Sequence, residues 1–392
     1  YLYSNFSNPS VVNFADLSYP NAKEMGLTET NDDLQTNVNY VVYQEGIYIG
    51  YKYFETRYED QVMGKGNAGA LTDYNYGEQV YRTFGFGMSY TDFNYGDFRV
   101  REDGSNFVAS VAVTNTGKVA GKHTVEVYMQ KPYTDYDVQN HIEKAAVELV
   151  GFGKTRNLQP GQTEVVEITV PKALMKSYDS YGAGTYIVDA GDYYLTVGTD
   201  AHDAVNNILA AKGYTMENGM DAAMTFKYAQ GALDTKTYAV TANGTAIVNQ
   251  FDNADLNRYE GAAEKVTYLS RNDWTGTYPY TATVVNATRK LADDSNFVYQ
   301  PKTENGNAYT VPAYGKQNGL TMAMMMGKSY DDPMWEDLLD QMTFAEQEAI
   351  IVNAFHNTRA ADSVSKPATI ETNGPQGITN SFFGGKEAGM AY

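Results

Sequence analysis

The feature that most constrains the fold of this chain is an alternation of apolar and polar residues with a period of two. It is clearest in FVASVAV at residues 107–113 and in VEVYM at residues 125–129. Successive side chains of a β-strand point to opposite faces, so this pattern indicates two strands that each bury one face. The NTG sequence at residues 115–117 is typical of a turn and predicts that the two strands form a hairpin.

Short strands continue beyond this pair. LVGFGKTRNLQPGQ at residues 149–162 contains a Pro-Gly turn between strand candidates, residues 165–170 are rich in β-branched side chains, and DAGDYYLTVG at residues 189–198 leads into another strand. Short strands separated by turns over about a hundred residues are typical of an antiparallel β-sandwich. GFGKT within this region is not predicted to bind nucleotide phosphates, because Glu148 stands where a phosphate-binding loop requires a glycine.

One helix is predicted after the sandwich strands. DAHDAVNNILAAKG at residues 200–213 begins with Asp200 as the N-cap, has apolar residues at helical spacing and ends with Gly213. The following residues to about 262 are polar and are predicted to be irregular. Residues 265–330, which include DWTGTYPY and YTVPAYG, are predicted to be an extended linker.

Two consecutive helices are predicted after this linker. In DDPMWEDLLDQM at residues 331–342, Asp332 can cap a helix and Pro333 suits its first turn. In TFAEQEAIIVNA, Thr343 and Glu346 have the spacing of a capping box. These two helices are predicted to begin a new domain.

Two aromatic stretches precede the sandwich. From Tyr40 to Thr56, VVYQEGIYIGYKYFET has aromatic and aliphatic residues at alternate positions, which predicts a half-buried strand. In FGFGMSYTDF at residues 84–93, glycines allow the backbone to approach a neighbour while each ring buries an apolar face. This second stretch is predicted to be a joint between domains rather than a stacking platform for a ligand.

The composition limits the possible partners. With 29 Lys and Arg against 48 Asp and Glu, the formal net charge is −19, which disfavours nucleic acid and anionic membrane surfaces and favours a neutral substrate. The absence of cysteine excludes disulfides and thiol catalysis. Neither a metal nor a cofactor is expected, because the histidines lack the spacing of a helical metal site; they are His123, His141, His202 and His356.

The chain has no apolar run of the roughly 20 residues that a membrane span needs, and no signal-peptide pattern. The compartment stays open between the cytoplasm and the exterior, and a homo-oligomer stays open too. The chain starts at Tyr1 and stops directly after a glycine-containing stretch, GGKEAGMAY. Both ends are therefore expected to be cut from a longer polypeptide.

Several of these stretches together resemble glycoside hydrolase family 3. EGIYIGYKYFET and FGFGMSYTDF are similar to the family's segment that joins an α/β sandwich domain to a fibronectin-III-like domain, although Thr83 stands where the family usually has proline. VAVTNTGKVAGKHTVEVY, LVGFGKTRNLQPGQ and AGDYYLTVG resemble strands of that second domain. LDQMTFAEQEAII and TNGPQG resemble the start of the family's catalytic (β/α)8 barrel, which here comes last, as in the permuted bacterial β-glucosidases.

The resemblance implies a multidomain fold of α/β and β parts. Residues 1–96 would be the end of an α/β sandwich domain, and residues 97–264 a fibronectin-III-like antiparallel β-sandwich with an insertion at about 200–262. Residues 265–330 would be the extended linker, and residues 331–392 the beginning of the (β/α)8 barrel.

The resemblance also implies an activity. The chain would be part of a retaining, exo-acting β-glucosidase that hydrolyses terminal non-reducing β-D-glucosyl residues of β-glucosides or oligosaccharides, and it would act together with the remainder of the same polypeptide. A β-xylosidase or another family 3 exo-glycosidase is the close alternative. A second alternative is a noncatalytic carbohydrate-binding or assembly module, since the chain contains 34 tyrosines and their amphipathic rings suit sugars.

No catalytic residue is expected within this chain. Retaining hydrolysis needs two carboxyl groups roughly 5 Å apart, and the family's pair lies at positions that these residues do not include. Asp273 in NDW imitates the family's SDW-like motif but precedes the barrel, so it is expected to be a turn former. Glu45 lies in an aromatic setting, and apolar surroundings favour the protonated form that a general acid requires. Its position relative to the family's motifs nevertheless favours a strand glutamate that pairs with Lys52, Arg57 or solvent.

Asn373 is the candidate substrate-binding residue. In TNGPQG it occupies the position of a family aspartate that accepts hydrogen bonds from sugar hydroxyls, at the expected end of the first barrel strand, PATIETN. An amide offers one acceptor and adds two donors, so sugar binding is retained without the charge. The alternative is that Asn373, Gly374 and Pro375 only form a turn.

Overall fold

The computed structural model describes residues 2–3, 17–27, 38–66, 74–214, 220–259, 261–262, 265–274, 284–296, 314–353, 357–370, 377–378 and 388–389. The chain divides into two compact units, residues 1–297 and residues 298–392. Within the described ranges, no helix combines the length and the apolar composition that a membrane crossing requires.

The first unit mixes helices with many short strands. Its α-helices are α1 (Tyr51–Met63), α2 (Tyr76–Gln79), α3 (Asp135–Gln139), α4 (Ala201–Ala211) and α5 (Arg289–Ser295). Its strands are β1 (Leu2–Tyr3), β2 (Val80–Arg82), β3 (Phe93–Asp103), β4 (Asn106–Asn115), β5 (Thr124–Gln130), β6 (Glu148–Lys154), β7 (Thr163–Pro171), β8 (Ser177–Asp179), β9 (Thr185–Ile187), β10 (Gly191–Gly198) and β11 (Thr225–Gln230).

Two antiparallel sheets form the centre of this unit. One has the strand order β3-β4-β7 and the other the order β11-β10-β5-β6. The alternate apolar residues of both sheets share one buried core, in which Phe107, Val127 and Leu195 are inaccessible to solvent. The predicted antiparallel β-sandwich is confirmed.

The predicted hairpin between residues 107–113 and 125–129 is wrong. These residues belong to β4 and β5, which lie in different sheets, and the true hairpin joins β3 to β4 through the turn at Gly104. Buried Asn115 explains the crossing, because its Nδ2 donates to the carbonyls of Val119 and Leu158, both at 2.8 Å. These bonds end β4 and direct the chain to the opposite sheet.

The GFGK residues 151–154 end strand β6 and Thr155 follows it, so this stretch is a strand and not a phosphate-binding loop, as predicted. A Cβ atom at Gly151 would lie 2.9 Å from Ile168 Cγ2, and one at Gly153 would lie 2.9 Å from Val166 Cγ1. These glycines therefore let β6 approach β7 of the other sheet more closely than a side chain would allow.

The predicted strand from Tyr40 to Thr56 is wrong, because most of its second half belongs to helix α1. Gly50 precedes the helix with φ at 57°, and Gly64 ends it in the left-handed conformation. The inward face of α1 is polar, with Glu55, Arg57 and their neighbours buried. Because the buried face is polar, the apolar residues of this stretch do not have helical spacing. Their alternation instead led to the prediction of a strand.

The FGFGMSYTDF stretch connects β2 to β3, with Phe84 partly buried at its beginning, Thr91 buried near its end and exposed residues between them. Phe84 stacks on Tyr51 with ring centroids 4.4 Å apart. Gly85 has φ at 98°, and a Cβ there would lie 2.9 Å from Asp200 Cα, so the contact requires glycine. Met88 is 93% exposed and Tyr90 100% exposed, so the expectation that each apolar side chain would be buried is wrong for this half.

Helix α4 is confirmed with its predicted cap, since the Asp200 side chain accepts from the Asp203 N–H at 2.9 Å. Lys212 is the C-cap, and Gly213 follows it with φ at 88°. The expectation of irregular structure to about residue 262 is wrong for β11, which pairs with β10. In its sequence TFKYAQ, Phe226 and Tyr228 pack against the sandwich core. This alternation covers only two apolar residues, which is too short to predict a strand.

Residues 265–274 and 284–296, which fall in the predicted linker, pack within the first unit. Val266, Val285 and Ala292 share a buried cluster with Leu17 and Tyr40. Part of this range forms α5. The domain boundaries themselves stay a prediction.

The second unit contains two helices and short strand pairs in its described residues. These elements are α6 (Met334–Gln341), α7 (Phe344–Val352), β12 (Asn357–Thr358), β13 (Thr369–Ile370), β14 (Gly377–Ile378) and β15 (Ala388–Gly389). The capping box of Thr343 and Glu346 is confirmed. Asp332 Oδ1 accepts from the Met334 N–H at 2.9 Å, and Pro333 lies just before the first helical residue. β13 pairs antiparallel with β12.

Candidate functional site

The segment 265–274 brings the candidate Asp273 next to helix α1. The Leu269 N–H donates to the Gln44 carbonyl at 2.8 Å, and Gln44 Nε2 donates to the Thr267 carbonyl at 3.0 Å. The chain then turns at residues 271–273, which leaves Asp273 exposed and Trp274 buried. The segment is thus held by hydrogen bonds before its turn and by the burial of Trp274 after it.

Arg271 anchors this turn to α1 through buried ion pairs. Its Nη2 donates to Glu59 Oε2 at 3.0 Å and to the Asp60 carboxylate. Glu59 Oε1 also accepts from Lys212 Nζ at 2.7 Å and from Gln130 Nε2 at 2.8 Å. Buried charges are costly unless paired, and here each carboxylate has a cationic partner.

The charge state of Glu59 follows from these partners. Burial alone would raise the pKa of Glu59, but Lys212 and Arg271 outweigh it and lower the pKa to about 2. A general acid needs a raised pKa so that it holds a proton at neutral pH. Glu59 is therefore a structural anion.

The stability of the first unit should depend on pH through Glu59. Its folded pKa of about 2 lies below the ordinary value of 4.5, so its stabilisation is complete above pH 4.5 and is lost as the pH falls toward 2. The difference in free energy of unfolding between the wild type and Glu59→Gln is expected to be constant at neutral pH and to shrink on acidification. Urea denaturation at a series of pH values measures this difference. Glu102→Gln, in an exposed ion pair, is the control and should show little difference at any pH. A Glu59→Gln difference that grows on acidification would contradict the assignment.

Trp274 belongs to a buried aromatic group around Arg57. Its Nε1–H donates to Asp60 Oδ2 at 3.1 Å. The Arg57 guanidinium carbon lies 4.9 Å from the Trp274 ring centroid and 4.9 Å from that of Tyr74. The Asp-Trp pair that imitates a catalytic motif thus places the tryptophan in the core, where it contributes cation–π contacts.

Lys144 is the centre of a second buried ion cluster. Its Nζ donates to Asp137 Oδ1 and to Asp189 Oδ2, both at 2.6 Å, and all three side chains are almost inaccessible. Asp137 also closes the capping box of α3 with Thr134. The cluster therefore ties the loop after α3 to the turn before β10.

The other predicted site residues have different positions. Glu45 is buried in a turn at residues 44–47, not in a strand. Its proposed partner Lys52 forms an ion pair with Glu148 at 2.7 Å. Asn373, and also His356, lie outside the described residues.

A cleft of about 850 Å³ opens beside the turn that carries Asp273. It lies within the first unit, between the loop after α3, the β8 region and segment 265–273. Aromatic side chains are among its lining residues, namely His141, Tyr178, Tyr181 and Tyr268. Tyr268 OH donates to Asp255 Oδ1 at 2.8 Å, which fixes this carboxylate in the cleft.

These residues were missed in the sequence because they come from distant positions. Tyr181 and Asp255 are 74 residues apart, and Arg271 is 211 residues from Asp60. No local spacing signals such contacts. Among the described residues, no group of three or more His, Asp or Glu side chains is placed to hold a metal ion.

Comparison with known proteins finds similarity over parts of the chain. Residues 123–201, from β5 to the start of α4, match the model of a fibronectin type III-like domain. β-Glucosidase A of Butyrivibrio fibrisolvens is 35% identical over 183 residues, which are 42% of this chain and 19% of that protein. A β-glucosidase of Ruminococcus albus is 28% identical over 233 residues, 58% of this chain and 21% of that protein.

Among solved structures, β-glucosidase 3B of Thermotoga neapolitana in complex with α-D-glucose is 28% identical, with a TM-score of 0.35 over 49% of this chain and 21% of that chain. The chain spans about a fifth of the length of the curated relatives it matches. By sequence, the chain is therefore similar over part of its length to proteins named β-glucosidase, and it contains a fibronectin type III-like domain near its centre.

Proposed function

We propose that this chain is part of a retaining, exo-acting β-glucosidase that hydrolyses terminal non-reducing β-D-glucosyl residues. The observation that carries the proposal is the 35% identity over 183 residues to a protein named β-glucosidase A. The family motifs in FGFGMSYTDF and in the sandwich strands support it, and LDQMTFAEQEAII follows them, as the barrel does in the permuted β-glucosidases. The substrates would be β-glucosides or glucosyl oligosaccharides.

The catalytic carboxylates of this enzyme would lie outside residues 1–392. Four of the buried carboxylates of the first unit support this view, because Glu59, Asp60, Asp137 and Asp189 each accept from a buried cation. A retaining pair needs one carboxyl free to attack and another able to donate a proton. Acids fixed by Arg271 or by lysines suit neither role.

We further propose the domain arrangement that the resemblance implies. Residues 1–96 would end an α/β sandwich domain, residues 97–264 would form the fibronectin-III-like domain, and residues 331–392 would begin the (β/α)8 barrel. Asn373 would then contact the sugar at the carboxyl end of the first barrel strand, where active sites of such barrels are built.

An assay of two proteins tests this proposal. The 392-residue chain alone is expected to release no nitrophenol from an aryl β-glucoside, because half of a catalytic constellation supports no double displacement. The complete protein that contains the chain is expected to hydrolyse it, with a higher kcat/KM than for the aryl β-xyloside. Turnover by the chain alone that disappears in Asp273→Ala or Glu45→Ala would contradict the placement of the catalytic residues.

A further inference from the structure

The cleft beside Asp273 has an aromatic corner with a defined geometry. The Tyr181 ring is 47% exposed, and its centroid lies 5.3 Å from that of the His141 ring, with the planes inclined by 68°. The Arg258 guanidinium carbon lies 4.8 Å from the Tyr181 centroid, and Arg258 Nη1 donates to the Ser180 carbonyl at 2.9 Å. The Tyr181 ring is thus supported by its neighbours while much of its surface stays open.

A carboxylate lies at the edge of this aromatic corner. Asp255 Oδ1 accepts from Tyr268 OH and from the Asn257 N–H, at 2.8 and 2.9 Å, and Oδ2 lies 3.4 Å from Tyr181 OH. Oδ1 is therefore well occupied, whereas Oδ2 has only one long contact among these and can accept another hydrogen bond. An apolar ring beside a fixed acceptor matches a pyranose. The C–H groups on the face of the sugar can pack on the ring, and a hydroxyl at its edge can donate to the acceptor.

The backbone of His141 is in an unusual conformation. Its φ is 53°, in the left-handed region, directly after the C-cap Asn140 of α3. Glycine is the common residue at that position because a Cβ atom costs about 1 kcal/mol there or more. The imidazole is exposed to the cleft, so core packing does not explain why a histidine stands where glycine would be easier.

The charge of the cleft is slightly negative. The ionisable side chains that line its described part, apart from His141, are four acids and three lysines: Glu143, Glu148, Asp255, Asp273, Lys131, Lys144 and Lys265. Lys131 pairs with Glu148 at 3.1 Å, and Lys144 is neutralised by its own buried acids. A cleft without strong net charge favours a neutral ligand over an anion.

We propose that this cleft is a binding site for a neutral saccharide. The pyranose face lies on Tyr181 and against His141, and a hydroxyl donates to Asp255 Oδ2. The volume of about 850 Å³ is sufficient for a disaccharide. The choice of glucosyl sugars rests on the proposed function, since a β-glucosidase encounters glucosyl oligosaccharides.

Saturation-transfer NMR of the 392-residue chain with cellobiose tests the proposal without any requirement for catalysis. Signal transfer is expected, with a dissociation constant in the millimolar range, about −4 kcal/mol. Tyr181→Ala is expected to weaken binding about tenfold, because it removes the stacking surface. The matched control is Tyr90→Ala, which removes a fully exposed ring that does not line the cleft and should leave the affinity unchanged.

His141→Gly separates binding from folding. Glycine relieves the left-handed conformation, so this variant is expected to be at least as stable as the wild type while binding cellobiose several-fold more weakly. The control Asp97→Gly relieves a φ of 50° at a residue that does not line the cleft, and its affinity should be unchanged.

Absence of transfer to the wild-type chain, unchanged affinity in Tyr181→Ala or His141→Gly, or an equal loss in Tyr90→Ala would overturn the site. Hydrolysis of a β-glucoside by the complete protein, combined with no binding by this chain, would overturn the cleft proposal alone. Binding without hydrolysis by the complete protein would overturn the proposed function and leave the site in place.

Discussion

Replacement of Arg271 by alanine is expected to lower the free energy of unfolding of the first unit by about 3–5 kcal/mol. Arg271 is 5% exposed and donates to both Glu59 and Asp60. Its removal leaves Asp60 without its cation in a buried position, and leaves Glu59 with Lys212 only. The lost interactions also release segment 265–274 from α1. Urea denaturation followed by circular dichroism measures the change.

Arg101→Ala is the matched control for this substitution. Arg101 pairs with Asp103 at 3.2 Å, but both side chains are exposed, so the cost should stay below about 1 kcal/mol. An Arg271→Ala variant that is no less stable than Arg101→Ala would show that the buried network does not hold the segment.

Replacement of Lys144 by alanine is expected to cost a similar amount, about 3–5 kcal/mol. Lys144 lies between Asp137 and Asp189, and its loss would leave two buried carboxylates that repel each other. Lys144→Met keeps most of the side-chain volume but removes the charge, and it should be nearly as destabilising as alanine. Urea denaturation at neutral pH measures the free energy of unfolding of the wild type, Lys144→Ala and Lys144→Met.

Lys172→Ala serves as the control, since Lys172 pairs with Glu102 in a partly exposed position. It should cost less than about 1 kcal/mol. Full stability of Lys144→Met would mean that the lysine acts by filling space and that its charge does not stabilise the cluster.

The sandwich could be predicted because its signals are local. Alternation in residues 107–113 reports directly on one buried face, and the cap of α4 depends on Asp200 and Asp203, three residues apart. The partner of each strand could not be predicted in the same way. Asn115 sends the chain to the opposite sheet through contacts with Leu158, 43 residues away, and no turn signal encodes this.

Helix α1 was mistaken for a strand because tertiary contacts determine its buried face. Glu55, Glu59 and Asp60 are tolerated inside only because His202, Lys212 and Arg271 reach them from far along the chain. A polar inner face has no apolar periodicity, so the sequence alone could not reveal it.

In the candidate site, too, local features could be predicted from the sequence and contacts between distant residues could not. Asp273 and Trp274 were recognised as a motif-like pair, and the place of Trp274 in the core became visible only with Arg57 and Asp60 beside it. The cleft was not foreseen, since Tyr181, Asp255 and His141 come together only in the folded chain.

The central claim is that this chain is part of a retaining β-glucosidase. The most direct test is proton NMR of the first product that the complete protein releases from an aryl β-D-glucoside. We predict β-D-glucose as the initial product, followed by slow mutarotation, because a double displacement retains the anomeric configuration. Initial release of α-D-glucose, or no hydrolysis of the glucoside by the folded complete protein, would contradict the claim.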